Sequence, residues 1–251
     1  MNIISVSYGN DSIALIQWAH EHELEDCYVV YADTGWSHPD WNDRVVAGEK
    51  LAEQYGFITW RVKGVFNFQS LVKWKKCFPS SKIQFCSGFL KAIPLGDFAD
   101  FIDPNTEAVV VIGKRREESE KRKNIDEFDY DSPYHGGRVV WHPLYAHTAA
   151  ERNELIIRAG LEVLPHRSLE CCPCVNANRS DLLNTPETQL QKCRELETAV
   201  GNYMFRANKH MGAKGIDEIL KWAMSDRGKY RKGQGMLWDY TGAFCESGLC
   251  G

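Results

Sequence analysis

The chain has 251 residues, 43% of them hydrophobic, which is enough for a sizeable core in one α/β unit with an appendage or in two small units. Its formal net charge of −4 excludes a global electrostatic pull toward nucleic acid, while leaving room for a local basic stripe. No run of about 18 apolar residues is present, which argues against a membrane-crossing helix. Nine cysteines in a chain with no basic-then-apolar leader point to metal or redox chemistry in the cytoplasm rather than to a disulfide framework.

In chain order, Ile3-Ile4-Ser5-Val6 predicts a first strand. It breaks into Ser7-Tyr8-Gly9-Asn10-Asp11-Ser12, and helical spacing resumes at Ile13, so a helix is expected over 11–22. CYVVYADTG predicts a second strand. An amphipathic helix follows, with Trp41, Val45, Leu51 and Tyr55 near one face and Gly56 as its stop. FITWRV is a third strand, AVVVIG a buried strand after a helical middle section, and RVVWHPL a further strand. Thr148 with Glu151 fits a capping box, and Gly160 ends that helix. More helices are expected around 186–200 and 215–225. Alternation of this kind predicts an α/β fold, a mostly parallel sheet with helices on both faces. A boundary near 160 separates an α/β domain over 1–160 from a cysteine-containing helical region over 161–251. That region has too little apolar sequence for its own core and is expected to pack on the sheet domain.

The first strand, loop and helix make a candidate anion site. Helix N-termini present unpaired N–H groups and partial positive charge. Gly9 lets the backbone approach a ligand, and Ser7 and Ser12 can donate hydroxyl hydrogen bonds. Asp11 repels a phosphate unless Mg²⁺ lies between them. The loop matches neither GxGxxG nor GxxxxGK[ST]. The plainer reading is an ordinary turn with Asp11 and Ser12 as caps. After AVVVIG, Lys114, Arg115 and Arg116 emerge at a strand's carboxyl end, the edge where open α/β sheets bind ligands. Guanidinium groups there can clamp phosphate or sulfate. The alternative is a solvated helix start with Glu117/Lys121 and Glu118/Arg122 as i,i+4 pairs.

Cys171 and Cys174 form a C-x2-C pair, and the chain ends with Cys245 and Cys250. Four thiolates from two loops would close a tetrahedral zinc site or hold a [4Fe–4S] cluster, which ligand type alone does not separate. Cys172 is an alternative to Cys171. Cys193 shares a helical face with Leu190, Leu196 and Val200 and reads as buried, and Cys27 reads as core. No histidine pair has metal-binding spacing. KWKKC at 73–77 is too short a basic run to argue a nucleic-acid partner from.

SYGNDS resembles the SGGxDS loop of the ATP pyrophosphatases, the PP-loop or adenine nucleotide α-hydrolase superfamily. Asp33-Thr34-Gly35 stands where that superfamily often has D-T-G. VVIGKRREESEKR is similar to the G-x-R-R-x-x-S-x-x-R stretch of phosphoadenosine phosphosulfate (PAPS) reductases, supplying Gly113, Arg115, Arg116, Ser119 and Arg122. QFCSGFLKAIPL resembles the C-T-x-x-L-K-x-x-P element of PAPS-reductase-like proteins, including DNA phosphorothioation enzymes. Lys91 there is either a further phosphate contact or part of a surface helix, and Cys86 is an alternative ligand or reactive thiol. The resemblance spans residues 3 to about 175. It implies an adenine nucleotide, ATP or PAPS, held by Ser7, Gly9, Asn10, Asp11, Ser12, Asp33, Thr34, Gly35, Lys91, Gly113, Arg115, Arg116, Ser119 and Arg122. The resemblance further implies catalytic roles for Asp11, Arg115 and Arg116. Mg²⁺ is implied with ATP, and [4Fe–4S] is favoured over Zn²⁺ at Cys171, Cys174, Cys245 and Cys250.

Three activities remain open at this stage. ATP cleavage between the α and β phosphates, with adenylation of an acceptor in sulfur-transfer chemistry, is the leading expectation. Sulfonucleotide reduction releasing sulfite is the second, and nucleotide binding without turnover the third. Departures from the family pattern weigh on the choice. Tyr8 replaces a glycine, Asn10 a frequent lysine, and Trp36-Ser37 follows where relatives often carry an acidic residue. The tail Glu246-Ser247-Gly248-Leu249-Cys250 has serine where reductases ending E-C-G-L-H have the nucleophilic cysteine. The acceptor stays unidentified, with nucleic acid among the candidates. No membrane partner is expected, and homo-oligomerisation stays open.

Overall fold

The computed structural model describes residues 1–130, 132, 134–206 and 214–225. The elements in order are β1 (Asn2–Val6), α1 (Asn10–Glu21), β2 (Cys27–Ala32), α2 (Trp41–Gln54), β3 (Ile58–Val62) and α3 (Phe68–Lys75). α4 (Phe85–Ser87) then runs through a π turn, Gly88–Ala92, into α5 (Ile93–Ile102). β4 (Val109–Ile112), a 3₁₀ turn (Arg116–Glu118), β5 (Phe128–Asp129), β6 (Val140–Trp141) and α6 (Ala149–Arg158) follow. α7 (Arg179–Leu183), α8 (Glu187–Val200) and α9 (Gly215–Met224) complete the described elements.

The sheet runs β3-β2-β1-β4-β6-β5, parallel throughout except that β5 pairs antiparallel with β6. It is the mostly parallel α/β sheet that the alternation predicts. Successive strand residues face opposite sides, so Ile4, Val6, Val29 and Val111 pack under α1, α2 and α6, against Ile13, Trp41, Val45 and Ile156. Ile3 and Val30 face the other way, onto Phe98 and Ala99 of α5. A separate cluster joins Phe68, Leu71 and Val72 of α3 to Leu190, Cys193 and Leu196 of α8 and to Ile216 and Ile219 of α9. Cys193 and Cys27 are buried, as their apolar neighbours in sequence imply. No helix among the described residues is long and apolar enough to cross a membrane.

Two local expectations change. The GKRREESEKR segment is not a helix start. Arg115 is extended, a single 3₁₀ turn spans Arg116–Glu118, and Ser119 is extended again. The Arg115 side chain is drawn back toward α1, which breaks the helical path, and only the Glu118–Arg122 pair of the expected i,i+4 pairs is seen to form. β5 was not anticipated, because two residues carry no alternation to read.

His135, buried in the loop before β6, should make the fold acid-sensitive. Burial pushes its imidazole down to about 4, with Lys114 adding to the effect and Asp129 opposing it. The folded state therefore binds fewer protons than the unfolded chain once pH drops below the ordinary histidine range of about 6.5. The stability it contributes is fully present above that range and is lost as pH falls toward 4, by about 3 kcal/mol. Urea midpoints at pH 7 and pH 4.5 check this, and His135→Asn should flatten the difference between them.

Candidate active site

β1 and β4 lie side by side, and the chain leaves them in opposite directions across the sheet, so their carboxyl ends flank a topological switch point. A cleft of about 510 Å³ opens there. Its floor is the loop from β1 into α1, with Ser7, Gly9, Asn10 and Asp11. One wall is Arg115, Glu118 and Arg122 after β4, and another is Arg152 of α6. The 164–168 segment and the start of α7 close it.

The loop is held from within. Ser7 N–H donates to Ser12 Oγ at 2.9 Å, and the two hydroxyls lie 3.3 Å apart. Tyr8 takes a positive φ of 58° and buries its ring against α2, where a Cβ on Gly48 would lie 2.2 Å from the Tyr8 ring. The pair is therefore complementary: a tyrosine at 8 requires bare backbone at 48. Asn10 spends both ends of its amide on Leu164, accepting from its N–H at 2.9 Å and donating to its carbonyl at 2.8 Å. It thereby clips the 164–168 wall to the loop. Gly9 is the N-cap of α1, and no side chain caps this helix. Asp11 and Ser12 do not serve as caps; Ser12 is committed to Ser7.

Charge converges on Asp11. Arg115 Nε donates to Asp11 Oδ1 at 2.5 Å, and Arg152 lies 3.8 Å from the same oxygen. Arg115, 4% exposed, also reaches Glu117 and the carbonyl of His147, both at 3.3 Å, while its own N–H donates to Glu118. Arg122 pairs with Glu118, and Arg167 donates to the Asn176 carbonyl at 3.3 Å. Ser12 and Gly113 line a small recess that continues from the cleft past Asp11. The Ser119 hydroxyl is buried with no hydrogen-bond partner among the described residues.

Other predicted residues stand elsewhere. Arg116 is exposed, stacks 4.7 Å over the Tyr145 ring and donates to the Ile125 carbonyl; it does not line the cleft. Asp33 accepts from Gly35 N–H at 2.9 Å and pairs with Lys63 at 3.0 Å, and Thr34 donates to the Glu170 carbonyl. Lys91 is neither a surface residue nor part of the cleft lining; buried, it pairs with buried Glu170. Arg152, Glu118 and Arg167 escaped sequence reasoning. The Thr148 capping box announces α6, but only its packing against α1 brings Arg152 to Asp11.

The C-x2-C segment docks on the end of β2. Cys172 N–H donates to the Trp36 carbonyl at 2.8 Å, and Trp36 Nε1 donates to the Pro173 carbonyl at 3.0 Å. Burial pushes the Cys171 thiol well above its ordinary range; Lys91 opposes this, and Glu170, Cys174 and Cys86 add to it. Cys172 is pushed up to about 11, chiefly by burial. Among the described residues no group of three or more His, Cys, Asp or Glu is arranged to hold a metal. Cys245 and Cys250, and the Glu246–Cys250 tail with them, lie outside the described residues.

The chain is 26% identical to an uncharacterized 37.8 kDa protein in the gpa 5′ region of Escherichia phage 186, over an alignment covering 91% of this chain and 89% of that protein. Among solved structures, the phosphate complex of a phosphoadenylyl-sulfate (PAPS) reductase from Candida auris aligns at 14% identity with a TM-score of 0.44, covering 64% of this chain and 73% of that one. An FMN adenylyltransferase of Candida glabrata in complex with ATP aligns at 13% identity with a TM-score of 0.41, over 62% of this chain and 45% of that one. The model of the phosphoadenosine phosphosulfate reductase domain matches residues 1–174, a span that takes in the β1–α1 loop, the arginine segment after β4 and the C-x2-C pair; the chain belongs to that family.

Proposed function

We propose that the cleft binds an adenine nucleotide and that the protein cleaves ATP between its α and β phosphates, adenylating an acceptor and releasing pyrophosphate in sulfur-transfer chemistry. The observation that carries this reading is an α1 N-terminus capped by no side chain, opening onto a cleft walled by Arg115, Arg122 and Arg152. Unclaimed N–H groups and fixed guanidiniums stabilise charge as it develops on a leaving pyrophosphate. Asp11 orients Arg115 and Arg152 through one carboxylate oxygen. A phosphate-borne Mg²⁺ needs only one or two protein carboxylates, so Asp11 fits as its protein ligand, and the ion when bound supplies charge neutralisation.

One observation favours the second reading, sulfonucleotide reduction. Asp11 Oδ1 is already shared by two guanidiniums, which leaves the cleft suited to a sulfate or phosphate that brings no metal. Calorimetry with ATP, AMP and PAPS, followed by assays for pyrophosphate and for sulfite, separates the two. ATP turnover that needs Mg²⁺ and is abolished in Asp11→Ala, with the fold retained, is expected. Sulfite release without pyrophosphate would replace it by the reductase reading. Binding of nucleotide with neither product would leave a nucleotide-binding protein, and binding of none of the three ligands would sink the whole assignment.

The same reading assigns a metal centre, [4Fe–4S] or zinc, to Cys171, Cys174, Cys245 and Cys250. The described residues supply half of that set. Metal-binding energy becomes folding energy in such a site. Removing residues 245–251 should therefore release iron or zinc and lower the melting temperature. Full metal retention in the truncated protein would overturn the four-cysteine assignment.

A further inference from the structure

Between Glu53 and Asp97 the chain has no acidic residue but contains Arg61, Lys63, Lys73, Lys75, Lys76, Lys82 and Lys91, in a protein whose overall charge is −4. Three of these are neutralised from other parts of the fold: Arg61 by Glu49, Lys63 by Asp33 and Lys91 by Glu170. Lys73, Lys75, Lys76 and Lys82 are all exposed and have no ion pair among the described residues.

Flat rings lie among them. Trp74 is 55% exposed, stacks on Phe66 at 5.0 Å and meets Phe89 at 5.7 Å. The Lys75 ammonium sits 4.5 Å from the Trp74 ring centre and 5.1 Å from that of Phe89. Beside this platform is a hollow of about 330 Å³ lined by Lys82, Ile83, Phe85, Phe89, Ile93 and Tyr134. The platform helix starts at the carboxyl edge of the sheet. α3 follows the carboxyl end of β3, and its first residue, Phe68, donates its N–H to the Thr34 carbonyl beyond β2.

We propose that this surface binds single-stranded nucleic acid. The four lysines follow the phosphates, and the platform and hollow stack splayed bases, every one of which has a π face. Lys75 needs only a rotamer change to leave the ring face for a phosphate. A duplex keeps its bases stacked inward and offers the rings nothing. An anionic membrane needs a broad apolar helix face to insert, and on α3 Phe68, Leu71 and Val72 are consumed in the core, which leaves Trp74 as its one exposed large apolar side chain. This surface shares no residue with the cleft lining, and strand binding here does not depend on what the cleft holds.

Fluorescence anisotropy of a labelled single strand of about 16 nucleotides, the upper site size of such grooves, tests it on the intact chain with no nucleotide present. DNA and RNA strands are run separately to distinguish the two sources of this chemistry. Saturable binding is expected at low salt. Trp74→Ala should weaken it about tenfold, with Trp74→Phe largely retaining it. Lys73→Ala/Lys75→Ala/Lys76→Ala should reduce the log–log salt slope by about 2. Circular dichroism and ATP affinity should be unchanged in all variants. The proposal fails if neither strand binds at low salt, or if Trp74→Ala binds as the parent does. It fails equally if a duplex of the same length or phosphatidylserine vesicles are preferred.

Discussion

Arg115→Ala should remove nucleotide binding and a large part of the stability together. Its guanidinium, 4% exposed, is the tie between the segment after β4, the first turn of α1 and the His147 carbonyl ahead of α6. Truncation leaves the Asp11 carboxylate with Arg152 alone, at 3.8 Å. Asp11 is 18% exposed and faces the cleft, so losing this half-buried, charge-assisted pair costs about 1.5–3 kcal/mol. A lost charge-assisted hydrogen bond to phosphate adds about a tenfold or greater loss of affinity. Arg115→Lys should recover little of either, since an ammonium cannot span Asp11, Glu117 and a carbonyl at once. Urea denaturation and calorimetry with ATP read the two effects separately. A variant as stable as the parent that binds ATP normally would remove Arg115 from the site.

Lys91→Met should cost more stability but leave nucleotide affinity of the folded protein within about threefold, a shift below 1 kcal/mol. Lys91 and Glu170 are 3% and 5% exposed and pair with each other, so methionine removes the ammonium that faces a buried carboxylate. Breaking a buried pair of this kind costs about 3–5 kcal/mol, whereas replacing both members by apolar residues is often neutral. Lys91→Met/Glu170→Leu should therefore be more stable than the single variant. If instead Lys91→Met lowers ATP affinity tenfold with stability unchanged, Lys91 contacts the ligand after all.

The contrast between Arg115 and Lys91 shows what the sequence makes legible. The sheet, its helices and the placing of loop and arginines at one edge follow from strand–helix alternation, which is local and redundant. The partners of individual charges do not follow. Lys91 precedes Glu170 by 79 residues, and nothing in its neighbourhood tells a phosphate contact from a buried pair. Arg116 adjoins Arg115 but points to Tyr145, because one extended residue before a 3₁₀ turn sends successive side chains apart. Asn10 is lysine-like only in position; its amide matches the backbone of Leu164, a partner that sequence alone could not pair with it. Tyr8 in a left-handed conformation was visible as a departure from glycine, but not its accommodation by Gly48 on α2.

Gly113 sits where β4 passes the first turn of α1, and a Cβ there would lie 2.9 Å from the Asp11 carbonyl oxygen and 3.5 Å from Leu15 Cβ. The interval between Arg115 and Asp11 is thus set by an absent methyl group. Any side chain at this position would act as a wedge, moving strand exit and helix start apart without altering a single charge. The spacing of this charged pair can consequently be tuned by volume at a residue that carries no charge, a steric dial beneath an electrostatic one.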